Sequence, residues 1–472
     1  MLKQKNTAID KQVFAKKALL ADGWQDNVLL SLDCNGVIQE IKPQVSLDSD
    51  FNGERLNGCL IPGMVNSHSH AFQWAMAGLA ERSGQGSDSF WSWRNTMYSF
   101  VHNITPDDLR VIASALYMQM LKAGYTSVGE FHYLHHDFLG ARYNNPAEMS
   151  LQIFEAAKLS GIALTLLPVF YRYSGFGEQA PNKGQARFIN NPEEYTTLLD
   201  KVADLAKQYE QKFGIAPHSL RAVNHSDINL AIDHLNRLDP QSPIHIHIAE
   251  QTKEVQDCLN YYNQRPVEWL MNNFDVENRW CLVHATHMNQ QEVANVADSN
   301  AVVSICTTTE GNLGDGFFPM MAYKNLKGRW SVGSDSHISI NACEELRWLE
   351  YQQRLQHQSR TLLTKAEHSS NGLWLWQEAV KGGAQSLAQN SGKLEESYSA
   401  DWIELDMDSL PLLGKKHDQI IDSFIFNQQL FSNTIKSVWV KGKKWVENNT
   451  HIEQQKIEQE FSAVIKRLTS EL

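Results

Sequence analysis

Along the middle of the chain, short runs of β-branched and large apolar residues alternate with longer stretches whose apolar positions recur at helical spacing. Strands buried on both faces, each followed by a covering helix, produce that alternation, so it argues for a parallel α/β fold. Eight strands are predicted, at Leu60–Asn66, Thr126–Phe131, Ile162–Phe170, Phe213–Pro217, Pro243–Ile248, Trp280–His284, Ala301–Cys306 and Arg329–Gly333. Eight strand-helix units match a (β/α)8 TIM barrel.

The stretches between them carry helix signals. Pro106–Lys122 begins with Thr-Pro-Asp-Asp, a capping sequence, and Gly124 stands just past its end. Glu193–Gln211 and Cys343–Gln356 read alike. The flanks differ, with short alternating runs such as Val28–Leu32 and Ser437–Val440 separated by turn residues. The expected organisation is a catalytic barrel over residues 59–389, a small β-sandwich-like domain built from 1–58 and 390–450, and a helical tail over 451–472. The patch GQGSDS at 84–89 reads as a flexible loop after strand one, where barrel enzymes keep their active-site loops.

Composition narrows the partners. The 472 residues are 42% apolar and 20% charged, an ordinary globular mix, and the formal net charge of −12 has the wrong sign for gripping nucleic acid or an anionic membrane. There is no apolar run of the roughly 18 residues that span a bilayer, and the start lacks a continuous signal-peptide core, so a cytoplasmic protein is expected. The six cysteines lie far apart without a C-x-x-C pair, which fits reduced thiols better than disulfides or a thiolate zinc site.

Histidines carry the candidate chemistry. His68 and His70, in VNSHSH, share a face through their i, i+2 spacing; alone, that pair could be no more than hydrogen-bonded histidines. Other ligand-type residues also fall at strand ends: His218 after strand four, His245 and His247 in strand five, His284 ending strand six and Asp335 after strand eight. In a (β/α)8 barrel these ends open on one face, so the residues converge. His68, His70, His247 and Asp335 then offer three nitrogens and an oxygen, a set suited to one catalytic zinc with an open position. His245 sits one step deeper and reads as a hydrogen-bonded core histidine. Two-metal barrels of this kind generally need a lysine at the end of strand four, whereas Lys212 lies at the opposite end, so a single metal is expected. Asp335 and His284 are candidates to take a proton from an activated water, and Glu250, in H-I-A-E, to pass one to a departing amine.

The strings PGMVNSHSH, HIHIAE, LVHATH and VGSDSH resemble the amidohydrolase superfamily. A narrower resemblance, to its formimidoylglutamate deiminases of histidine degradation, is carried by HSHAFQ, AMAGLAE, FWSWR, GEFHYLHHD, APHSLRAV and TTEGNLGDGFFP. The resemblance implies a zinc on His68, His70, His247 and Asp335, proton handling by Glu250 and His284, and loss of the substrate's amidine nitrogen as ammonia to leave N-formyl-L-glutamate. It implies substrate contacts from Gln73, Arg94, Tyr133, His218 and Arg221, and it suggests a homodimer. Two guanidiniums suit the two carboxylates of a small dicarboxylate substrate. Other readings of these residues stand beside that one: Arg94 stacking on its aromatic neighbours, Tyr133 packing, Arg221 pairing with a helix acid, and His132, His135 and His136 as a solvated loop or supporting shell. Trp74, Thr307 and Gly311 depart from the pattern without replacing a ligand or proton-handling group.

Two rival functions follow. A nucleobase deaminase would use the same metal set, but a neutral ring gives no reason for two arginines. A catalytically silent binding barrel would have no use for Glu250 and His284 beside an open metal position.

Overall fold

The computed structural model describes residues 9–79, 81, 97, 101–365, 369–427 and 434–470. Arg94 and the 84–89 patch lie outside those residues. Two sheets organise the chain. β1 (Lys11–Leu20), β2 (Gly23–Leu32), β3 (Ile38–Lys42) and β4 (Glu54–Pro62) form half of the first. The second holds β5 (Met64–Ser69), β6 (Tyr125–His132), β7 (Ala163–Phe170), β8 (Lys212–Phe213), β9 (Ala216–Pro217), β10 (Ile244–Ile248), β11 (Trp280–His284), β12 (Val302–Ile305) and β13 (Arg329–Val332). β14 (Trp402–Leu405), β15 (Ile435–Val440), β16 (Lys443–Glu447) and β17 (Thr450–His451) return to the first sheet, in the order β17-β16-β15-β14-β4-β1-β2-β3.

The second sheet is the barrel. Its path runs β10-β11-β12-β13-β5-β6-β7-β8, every pairing parallel. β9 pairs with β7, and the ring closes where Ile215 bridges Ile244 and accepts the His245 amide at 2.9 Å. β8 and β9 are thus one interrupted fourth strand. Strands such as β7, ALTLLPVF, are buried along their whole length, as a parallel sheet covered by helices requires.

The helix expected over Pro106–Lys122 is observed with those bounds, opened by a reciprocal Thr105–Asp108 capping box. The helices expected at 193–211 and 343–356 are Pro192–Gln208 and Ala342–His357. The first predicted strand differs. Leu60–Asn66 is divided between β4, paired with β1 and β14, and β5, which starts the barrel. The switch falls at Gly63, where an added Cβ would lie 2.2 Å from the Thr126 side chain. An apolar run stays continuous when both sheets are buried, so its pattern cannot show that the chain changes sheets.

Candidate active site

The strand ends bring the candidate residues together at one end of the barrel. His68 stands on β5 and His70 just beyond its end, His247 on β10, His284 at the end of β11, and Asp335 just beyond β13. The first and last strands are zipped at that point: the Asp335 amide donates to His68 O at 3.0 Å and the His70 amide to Asp335 O at 3.2 Å. Gly333 allows this approach, since a Cβ there would sit 2.7 Å from the His68 Cβ. His284 and Asp335 both hold left-handed backbone, with φ of 67° and 47°, a conformation that costs energy and recurs at functional positions.

Hydrogen bonding sets which nitrogens face inward. His70 Nδ1 lies 2.9 Å from Phe131 O and His247 Nδ1 3.2 Å from His218 O. A carbonyl only accepts, so both Nδ1 atoms carry hydrogen and both Nε2 atoms keep lone pairs. Each of those Nε2 atoms is 3.1 Å from His68 Nε2, and Asp335 Oδ1 is 3.4 Å from His68 Nε2 and 3.3 Å from His70 Nε2. Burial holds the pKa of all three histidines down, that of His68 to about 3, so extra protons are disfavoured there. Converging lone pairs with one carboxylate and too few protons fit a cation, and this donor set suits a metal of the zinc type. His284 is the neighbouring donor: ligand atoms of His68, His247, His284 and Asp335 all lie within 4.8 Å of one another.

His284 is held differently. Its Nδ1 is 3.2 Å from Glu310 Oε1, and its Nε2 is 3.8 Å from Glu250 Oε1 and 3.7 Å from Asp335 Oδ2. Burial opposes charge on this ring, but Glu250, Glu310 and Asp335 outweigh it and lift its pKa to about 10. Burial raises the pKa of Glu250, with His284 opposing the shift. Glu254 fixes the turn that carries Glu250 by accepting the Ala249 and Glu250 amides, each at 3.1 Å.

A narrow cavity with about 50 Å³ of water-accessible space opens above these groups. Of the predicted substrate contacts, Gln73, Tyr133, His218 and Arg221 line it, and Gln73 Nε2 donates to Tyr133 Oη at 2.8 Å. Arg94 lies outside the described residues. Met97, Tyr171, Phe188, Thr309, Leu313 and Ser336 also line the cavity and went unidentified in the sequence, where isolated apolar and hydroxyl side chains carry no distinguishing spacing.

The run TTEGNLGDG overlaps a short helix, Thr307–Leu313, closed by Gly314 at φ 70°. It brings Glu310 to His284, a contact that no motif signalled. His132, His135 and His136 are buried, and the ring nitrogens of His135 and His136 reach the carbonyls of Val169 and Ile189 at 2.9 and 2.7 Å, so they support the wall instead of forming a solvated loop. His245 lies in the core, as expected, with Nε2 2.7 Å from Ser386 O and Nδ1 buried without a partner among the described residues. Trp74 stacks on Phe461 of the C-terminal helix with ring centroids 4.8 Å apart, Thr307 is bonded to Glu345, and Gly311 faces open space.

Comparison with known proteins gives a consistent picture. The amidohydrolase family model matches residues 59–445, and the model of the N-terminal domain of formimidoylglutamate deiminase HutF matches 10–54. The chain is 44% identical over 97% of its length to formimidoylglutamate deiminase of Pseudomonas aeruginosa, covering 99% of that protein. It is 24% identical over 80% of its length to 8-oxoguanine deaminase of the same organism, again covering 80% of that protein. Among solved structures, an amidohydrolase from Brucella melitensis superposes with a TM-score of 0.90 at 43% identity, covering 98% of this chain and all of that one.

Proposed function

From the premise that this chain belongs to the amidohydrolase family and is a metal-dependent hydrolase of C–N bonds, we propose that it hydrolyses N-formimino-L-glutamate to N-formyl-L-glutamate and ammonia, a step of histidine degradation. The observation that carries this reading is the meeting, in one cavity, of an inward-facing donor cluster with Glu250, His284 and Arg221.

His68, His70, His247 and Asp335 would hold one zinc ion. His70 is preferred to His284 as the fourth ligand because its Nδ1 is committed to a carbonyl and its Nε2 faces inward, 3.1 Å from His68 Nε2 and 3.3 Å from Asp335 Oδ1, whereas His284 Nε2 is 3.7 Å from Asp335 Oδ2. A bound zinc supplies water activation near neutral pH and polarises the amidine carbon. The side chains do the rest. With a cation on the ligands opposing the carboxylates around it, the His284 ring would be neutral, so that His284 and Asp335 accept the proton of the attacking water, and Glu250 delivers one to the departing nitrogen. Arg221, together with Arg94 as the resemblance implies, clamps the carboxylates, while Gln73, Tyr133 and His218 complete the hydrogen bonds. A homodimer in the cytoplasm belongs to the same reading; among the described residues, no helix is long and apolar enough to cross a membrane.

Release of ammonia from N-formimino-L-glutamate, measured beside N-formimino-L-aspartate and guanine, tests the substrate. Turnover of guanine with none of formiminoglutamate would replace this reading with the nucleobase one. Metal analysis tests the ligands: one zinc per chain is expected, lost from the His68→Ala, His70→Ala double variant. Two tight metals per active chain, or unchanged zinc in the double variant, would overturn the assignment.

A further inference from the structure

Glu310 has no part in the steps above, yet it is the partner of the nitrogen of His284 that faces away from the cluster. The side chain is buried, and its Oε1 accepts the Cys306 amide at 2.9 Å while lying 3.2 Å from His284 Nδ1. With the carboxylate as acceptor, Nδ1 carries the hydrogen. In the neutral ring, Nε2 is then left with its lone pair, turned toward Glu250 and Asp335.

We infer that Glu310 is a positioning residue, which selects the Nδ1–H tautomer of His284 and fixes its ring rotation so that the Nε2 lone pair meets the reacting water. This rests on the reading of His284 as a proton acceptor. An imidazole free to choose would divide between two tautomers, and in one of them Nε2 carries a hydrogen and cannot accept another.

The surroundings leave the carboxylate little freedom. Thr307 Oγ1 donates to Glu345 Oε2 at 2.7 Å, and Thr309 Oγ1 lies 3.0 Å from Ser336 Oγ, so the helix bearing Glu310 is tied at two points to the chain beyond β13. The His284 ring stacks on His247 with centroids 5.5 Å apart and planes 17° from parallel, which restrains it from the opposite direction. Left-handed backbone at both His284 and Ala285 aims the ring from a turn that few alternative conformations match.

A merely structural role is also open to Glu310, because the Cys306 amide bond staples the start of its helix. The two roles separate by experiment on the zinc-loaded, full-length protein carrying Glu310→Gln, Glu310→Met or Glu310→Ala. Glutamine keeps an acceptor oxygen where Oε1 stands; methionine and alanine remove it. Nitrogen-15 spectra of histidine-labelled protein, assigned with His284→Asn, report the tautomer directly, and steady-state kinetics report kcat and KM separately.

The parent and Glu310→Gln are expected to show Nδ1–H, and Glu310→Met and Glu310→Ala to lose it. In those two, kcat falls at least about tenfold while KM stays within about threefold, as loss of a correctly oriented base requires. Zinc content should not change. Parental tautomer and kcat in the methionine and alanine variants, or a lower melting temperature as their only defect, would overturn the assignment. If the parent shows the Nδ1–H ring but does not turn over formiminoglutamate, the substrate reading fails while the assignment of Glu310 stands.

Discussion

Glu250→Gln is expected to retain its zinc and lose about 10²- to 10⁴-fold in kcat, the usual contribution of a general acid or base. Glutamine keeps the shape and some hydrogen bonding but cannot carry a proton from water to a leaving nitrogen. The position suits proton transfer, because Oε1 stands 3.8 Å from His284 Nε2, burial raises the affinity of the carboxyl for a proton, and Glu254 holds the backbone of the turn whatever stands at 250. Because the Glu250 carboxylate is not among the proposed ligands, metal analysis of the variant should match the parent. Activity within a few-fold of the parent would remove Glu250 from the mechanism.

Arg221→Met should lower kcat/KM for formiminoglutamate by about 30-fold or more, given roughly 2 to 5 kcal/mol for removing one partner of a buried charge pair. Arg221 lines the same cavity as Gln73 and Tyr133, which follow β5 and β6 in the chain. Holding a carboxylate there contributes affinity and also fixes the distance from that anchor to the reacting carbon, so both alignment and binding should suffer. The same loss is expected for Arg94→Met. Methionine retains much of the side-chain volume, and circular dichroism checks the fold. Zinc content should be unchanged. A nucleobase deaminase would be nearly indifferent to both substitutions, so equal turnover by variants and parent would remove the dicarboxylate clamp and with it the physical support for this substrate.

The donor cluster is readable in the sequence because strand periodicity is rigid. Residues two apart must share a face, so His68 aligns with His70, and His247 aligns with the more deeply placed His245. Barrel geometry then does what sequence distance hides, bringing β5, β10, β11 and the turn after β13 to one rim. Glu310 is hidden for a related reason. Its segment carries Gly311, Gly314 and Gly316, which read as loop, and local pattern holds no trace of the tertiary bonds from Thr307 and Thr308 to Glu345 that hold a short helix there. The division of the first strand at Gly63 is masked by burial on both sides of the switch.

That division also bears on how the protein is made. β4 leads through one glycine into the strand that bears His68 and ends beside His70, yet β4 is paired on one side by β14, and the Gly58 amide donates to Glu404, 346 residues later in the chain. At about 5 to 20 residues per second, a ribosome needs roughly 20 to 70 s to span that interval. During that time the strand that opens the barrel is anchored on one side to an unfinished sheet. Long-range pairing of this kind is slow to form and exposes strand edges meanwhile. Nascent chains halted before residue 402 should therefore be bound by chaperones and cut readily by protease around residues 54–62, and protection there should appear only once β14 has left the exit tunnel.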